Sequence, residues 1–170
     1  MATEPRPPLR IWRHLTTEHW SARRAFPPNV LERIRAAIAA GEKHHAGQVC
    51  FAVEAALPLP LVFKGERPRE RAIEAFSRLR VWDTEHNCGV LVYVLLADRD
   101  VEVVADRGIH DRVGDAAWQS ICRTMEAAFG ERRFADGAVA GIEAISALLA
   151  EHFPRAAAGD NELSDQPVIL

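Results

Sequence analysis

The run from Arg80 to Asp111, RVWDTEHNCGVLVYVLLADRDVEVVADRGIHD, constrains this chain more than any other stretch. Gly89 to Leu96 is aliphatic or β-branched at both alternating sets of positions. Neither face of such a strand can meet water, so it belongs in the middle of a sheet covered on both sides. Ala97-Asp98-Arg99-Asp100 has turn chemistry, because short carboxylates accept from nearby backbone amides. Val101 to Asp106 then reads as a hairpin partner with one end reaching solvent. A hairpin returns to where it began. Asp106 therefore comes back beside the polar loop that holds Asp83, Glu85, His86 and Asn87, and Asp98 and Asp100 sit at the opposite end.

The remaining elements follow from periodicity. Residues 1–28 form a Pro- and Arg-rich arm in which Trp12, Leu15 and Trp20 are the apolar positions, ordered in part. Asn29, with Glu32 three residues on, predicts a helix start; Val30, Leu31, Ile34, Ala37 and Ile38 make its stripe, and Gly41 suits its end. Gln48 to Ala55 is a first central strand. Leu57-Pro58-Leu59-Pro60 reads as non-helical chain over the sheet edge. Arg69 to Arg80 is a helix with Ala72, Ile73, Phe76 and Leu79 inward. After the hairpin, Asp115 caps a helix striped by Trp118, Ile121, Cys122, Met125 and Phe129. A last helix spans about Asp136 to His152, with Gly141 marking a close helix–sheet approach. Residues 155–170 are a polar tail whose terminal Val168-Ile169-Leu170 is apolar enough to dock by strand addition.

A strand, a helix and a second strand in that order imply a parallel pair, and the hairpin adds an antiparallel strand. The expected architecture is α/β: a three-layer α/β/α sandwich around a mixed sheet of three to four strands, spanning residues 29–154. At 170 residues, 48% hydrophobic and with a net charge of -3, the chain suits one soluble domain and lacks the basic face of a nucleic-acid binder. Three cysteines without a C-x-x-C pair argue against a disulfide scaffold or a zinc knuckle. No segment approaches the ~18 apolar residues of a membrane span, and the N-terminus lacks a signal-peptide core.

The order of these elements resembles the TPM domain, named after a thylakoid lumen phosphatase-like protein, a photosystem repair protein and a receptor modulator. The likeness rests on Trp82 to Val92 as W-x6-G-V-L-[LV], then Asp98 to Val103 as D-R-x-V-E-[IV], then a Gly-containing loop. It extends from about Asn29 to Phe153. The resemblance implies a module that binds a partner protein, in membrane-associated systems for many relatives, or a metal-dependent, acid-phosphatase-like phosphomonoester hydrolase. Many relatives carry a leader and an anchor; without either, the expected location is cytoplasmic.

Chemistry is expected where the two polar loops converge. Oxygen donors suit a hard cation, Ca2+ or Mg2+, so Asp83 and Asp106 are the first candidate ligands, with Asn87 or Asp111 completing the shell. Arg107 is the matching candidate for an anion. Asp98 and Asp100, a hairpin length away, read as turn builders and cannot share that site. His44-His45 reads as a solvated helix end, and His14 and His19 as arm residues without an acidic partner. Arg67, Arg69, Arg71, Arg78 and Arg80 read as a solvated face balanced by Glu66, Glu70 and Glu74. Cys88 beside His86 is a weak thiol–imidazole pair, and no hydrolase, zincin or nucleotide-binding motif is present.

Overall fold

The computed structural model describes residues 7–155 and 163–170. The first six residues of the arm and positions 156–162 of the tail lie outside the described residues. Three helices precede the sheet, α1 (Pro7–Thr16), α2 (His19–Ala25) and α3 (Pro28–Gly41). Strand β1 (Gln48–Glu54) leads through α4 (Leu59–Phe63) and α5 (Pro68–Arg78) to β2 (Gly89–Leu95) and β3 (Asp100–Ala105). Then come α6 (Arg107–Val113), α7 (Asp115–Gly130), α8 (Phe134–His152) and β4 (Val168–Ile169).

The sheet order is β3-β2-β1-β4. β1 and β2 run parallel from the pair Gln48↔Gly89 to the pair Glu54↔Leu95. β2 and β3 form the antiparallel hairpin, Val90↔Ala105 through Leu95↔Asp100. The chain's own C-terminus adds the fourth strand, with Val168 and Ile169 parallel to Ala52 and Val53. Every residue of β1 and of β2 is buried. Alternation along these strands feeds two cores. Val49, Phe51, Val53, Val90, Val92 and Val94 meet Phe26, just after α2, and Ile34, Ile38, Met125, Ile142, Ile145 and Leu149 from α3, α7 and α8. Cys50, Ala52, Leu91, Tyr93 and Leu95 meet Val62, Ala72 and Ala75 from α4 and α5. The protein is an α/β sandwich with a mixed sheet between helical layers.

Local differences from the sequence reading have physical causes. α4 begins at Leu59 despite its prolines, because Pro60 lies in the first turn, where a missing N–H breaks no helical bond. Ile73 is 48% exposed, and Ala75 takes the inward place instead. Pro27, not Asn29, precedes the first residue of α3. Gly114, at φ 80°, stands before α7, leaving Asp115 inside its first turn. The close approach at Gly141 is to α7 and not to the sheet: a Cβ there would lie 2.3 Å from the Met125 sulfur. His45 is buried and bonds the Gly47 carbonyl through Nδ1, so it is no solvated helix end, and burial pushes its pKa down to about 4. Arg71 is also no solvated cation. It forks onto Glu54 at 2.9 Å with both Nε and Nη2, and the Tyr93 hydroxyl donates to the same carboxylate at 2.6 Å.

Candidate functional site

The sheet has two ends, and both carry acids. At the end where β2 starts and β3 finishes, Asp106 accepts from the Arg107 amide at 2.7 Å and so caps α6. That segment, read as a loop, is helical because Asp106 caps it and Ile109 is buried under it, and Gly114 stops it. The Asp106 amide donates to the Gly89 carbonyl, and a Cβ on Gly108 would lie 2.4 Å from the Asn87 carbonyl oxygen. The hairpin thus returns Asp106 to the Gly89 backbone and sets Gly108 against the His86–Asn87 loop. Asp106 Oδ2 is buried with no hydrogen-bond partner.

The other candidates are less concentrated. Asp83 is exposed and paired with Arg80 at 2.5 Å. Asn87 is exposed, with φ 51°. Asp111 is exposed on α6, five residues after Asp106 and so about 140° around the helix from it. Arg107 is exposed on the first turn of α6 and has no ion-pair partner among the described residues. Among the described residues, no three His, Cys, Asp or Glu side chains are grouped so as to hold a metal ion.

The opposite end, at the carboxyl ends of the parallel strands, is built differently. Asp98 is nearly enclosed: Arg10 Nε and Nη2 reach its carboxylate at 3.1 and 2.8 Å, and His14 Nε2 at 3.1 Å. His14 Nδ1 accepts from the Leu57 amide at 2.9 Å, so the imidazole presents Nε2–H to Asp98. Burial opposes ionisation of Asp98, but the hydrogen bonds from His14 and Arg10 outweigh it and hold the carboxyl below its ordinary range. The arm is therefore docked through an ion-pair cluster, and His14 has the acidic partner that sequence did not show.

Asp100, two residues on, is the reverse case. Its Oδ1 is buried without a partner. Burial, reinforced by Glu102, Glu126 and Asp98, raises its pKa to about 7. Asp100 lines a cleft of about 1190 Å³ between the β2–β3 turn, α2, and the junction of α7 with α8. Arg24, Arg33, Arg99, Arg132 and Arg133 line it too. Arg33 is paired with Asp136 and Arg133 with Glu131. Arg24, Arg99 and Arg132 have no ion-pair partner among the described residues. Arg99 and Arg132 stand at φ 55° and 60°, a left-handed conformation that non-glycine residues seldom adopt. Glu126, also lining the cleft, accepts from the Val101 amide at 3.1 Å.

This arrangement can take an anion by its cations and hand it a proton from Asp100. Sequence reasoning passed over it because Arg24, Arg99 and Arg132 come from three separate segments. The one available signal was the position itself, since open α/β sheets favour ligands at the carboxyl ends of parallel strands.

The model of the TPM domain family matches residues 23–148. The NMR structure of the BA42 protein from the psychrophilic bacterium Bizionia argentinensis superposes with a TM-score of 0.73 at 27% identity, over 83% of this chain and 92% of that one. No curated protein matches the chain.

Proposed function

The chain belongs to the TPM domain family, and from that premise we propose that it binds a phosphomonoester in the cleft at the carboxyl ends of β1 and β2, and hydrolyses it. The observation that carries this reading is the meeting in one cleft of three arginines that have no ion-pair partner among the described residues with Asp100, whose Oδ1 is buried and unpartnered. Arg24, Arg99 and Arg132 neutralise the phosphoryl oxygens. As the ester P–O bond breaks, a proton from Asp100 goes to the leaving oxygen; water supplies the replacing oxygen, and its displaced proton returns to the Asp100 carboxylate. A carboxyl with a pKa of about 7 is still partly protonated near neutral pH, as a general acid requires. A divalent cation, when bound, would add Lewis-acid polarisation of a phosphoryl oxygen.

The test is steady turnover of p-nitrophenyl phosphate by the full chain and by Asp100→Asn. The expected result is turnover in the parent and its loss in the variant, with inorganic phosphate still bound. Loss of turnover in Asp83→Ala with Asp100→Asn unchanged would move the site to the other end of the sheet.

A second reading rests on the unpartnered Asp106 Oδ2. That oxygen, at the start of the helix whose Gly108 meets the His86–Asn87 backbone, suits a Ca2+ or Mg2+ ion that keeps most of its waters. Asp83, Asn87 and Asp111 are its candidate outer ligands, and Arg107 the candidate anion contact there. Affinity is weak in this reading, because Asp106 Oδ1 is held by the cap and the positive end of α6 repels a cation. Asp106 stands roughly 20 Å along the strand from Asp100, so this ion and an ester in the cleft would be separate ligands. Phe63, Ile73 and Trp82 are exposed apolar side chains available to a protein partner.

A further inference from the structure

Helix α1 is built inside out. At 100° per residue, Arg10, Ile11 and His14 fall on one side and Leu9, Trp12 and Leu15 on the other. A surface helix ordinarily turns its apolar side to the core. Here the polar side faces inward: His14 is 5% exposed, and Arg10 is bonded to Asp98 and to the Glu66 carbonyl. The apolar side faces out, with Leu9 53%, Trp12 64% and Leu15 52% exposed. The Arg10–Asp98–His14 cluster holds that orientation, so the outward stripe is enforced and is not a frayed end. Arginines accompany the stripe in sequence. Arg13 flanks Leu9 on α1, and Arg23 is exposed on α2; neither has an ion-pair partner among the described residues.

The stripe is small. Three half-exposed side chains offer on the order of 350 Å², well below the ~800 Å² per partner of a stable protein interface. A lipid surface sets no such minimum, because each apolar side chain partitions on its own and each nearby cation adds attraction to anionic headgroups. A tryptophan between two leucines, flanked by arginines, has the composition of a helix lying in the headgroup region. The whole of α1, its stripe included, precedes the residues matched by the family model.

We propose that α1 is an in-plane docking helix for an anionic lipid surface: Leu9, Trp12 and Leu15 enter the boundary between headgroups and acyl chains, while Arg10 and His14 fix its other face to Asp98. No helix among the described residues is long and apolar enough to cross a membrane, and none is needed here.

The experiment is co-sedimentation of the full chain with vesicles of phosphatidylcholine alone and with about 30% phosphatidylglycerol added. Binding to the anionic vesicles that weakens with salt is expected. Trp12→Ser with Leu15→Ser should lower it by about tenfold or more. Arg13→Ser should lower anionic binding while leaving the thermal midpoint unchanged, which separates docking from folding. Trp82→Ser, an exposed tryptophan elsewhere, should bind like the parent. Absence of sedimentation with either vesicle, equal loss in Trp82→Ser, or a Trp12-dependent dimer in lipid-free buffer would each overturn the proposal; the last would make a second copy of this chain the cover of the stripe.

Discussion

The two ends of the hairpin hold acids of the same type in opposite states. At the Asp83–Asn87 end, the acids pair with neighbours in sequence: Asp83 with Arg80, and Asp106 with the next residue's amide. At the Asp98–Asp100 end, the partners come from far along the chain; Arg10 and His14 lie 88 and 84 residues before Asp98. Local pairing leaves Asp83 at the surface and ties one Asp106 oxygen into a helix cap. Distant pairing buries the Asp98 carboxylate fully matched and leaves Oδ1 of its neighbour Asp100 buried and unmatched. Burial and the charges of Glu102, Glu126 and Asp98 raise the Asp100 pKa to about 7. The proposed acid–base chemistry rests on that raised carboxyl and not on the number of acids.

The largest expected effect breaks the contrast at Asp98. Asp98→Ala leaves Arg10 and His14 inside without their carboxylate and should cost about 3–5 kcal/mol in urea unfolding. Asp83→Ala removes an exposed pair and should stay within about 0.5 kcal/mol. Similar losses at both ends would show that the two acids are equivalent after all.

The next effect has the opposite sign. A carboxyl raised from 3.8 to about 7 binds its proton more tightly in the folded state. Folding therefore gains from this group as pH falls from about 7 towards 4, and above 7 the fold carries the whole cost of a buried charge. Asp100→Asn removes that cost. The variant should be more stable than the parent by about 1–3 kcal/mol at pH 8, with the difference shrinking towards pH 4. The same variant is expected to lose turnover, so loss of activity could not be assigned to unfolding.

How much of this was legible in the sequence divides along the same line. Val90 to Leu95 announced a central strand because burial on both faces leaves no polar position, and the hairpin followed from the turn residues. The terminal Val168-Ile169-Leu170 cluster announced a docking strand for the same reason, apolarity where a free tail would have none. The return of Asp106 to the start of β2 at Gly89 was readable because a hairpin's geometry is local. The Arg10–His14–Asp98 cluster and the three arginines of the cleft were not, because nothing in a helical or strand period records which distant segment a charge will meet. α6 was nearly readable: Asp106 as a cap, with Ile109 and Val113 four apart, is a short helix signal inside what looked like loop.

Two smaller effects sharpen the assignment. Arg99→Ala should weaken binding of inorganic phosphate by about tenfold, the loss of one charge-assisted contact worth about 1.4 kcal/mol, while Arg107→Ala leaves it unchanged. Equal effects would blur the two ends. Asp106→Ala should cost about 1 kcal/mol through the lost cap, and should abolish any weak Ca2+ response of the Asn87 amide. A Ca2+ response surviving in that variant would remove Asp106 from the ion.

The most direct measurement is a titration of the isotopically labelled full chain with inorganic phosphate, followed by backbone amide shifts. Binding in the cleft predicts shifts that saturate together at Arg24, Arg99, Asp100 and Arg132, with Asp83 to Asn87 and Asp106 to Asp111 unmoved. Shifts confined to the Asp106 end, or no saturable shift at all, would contradict the cleft as the site.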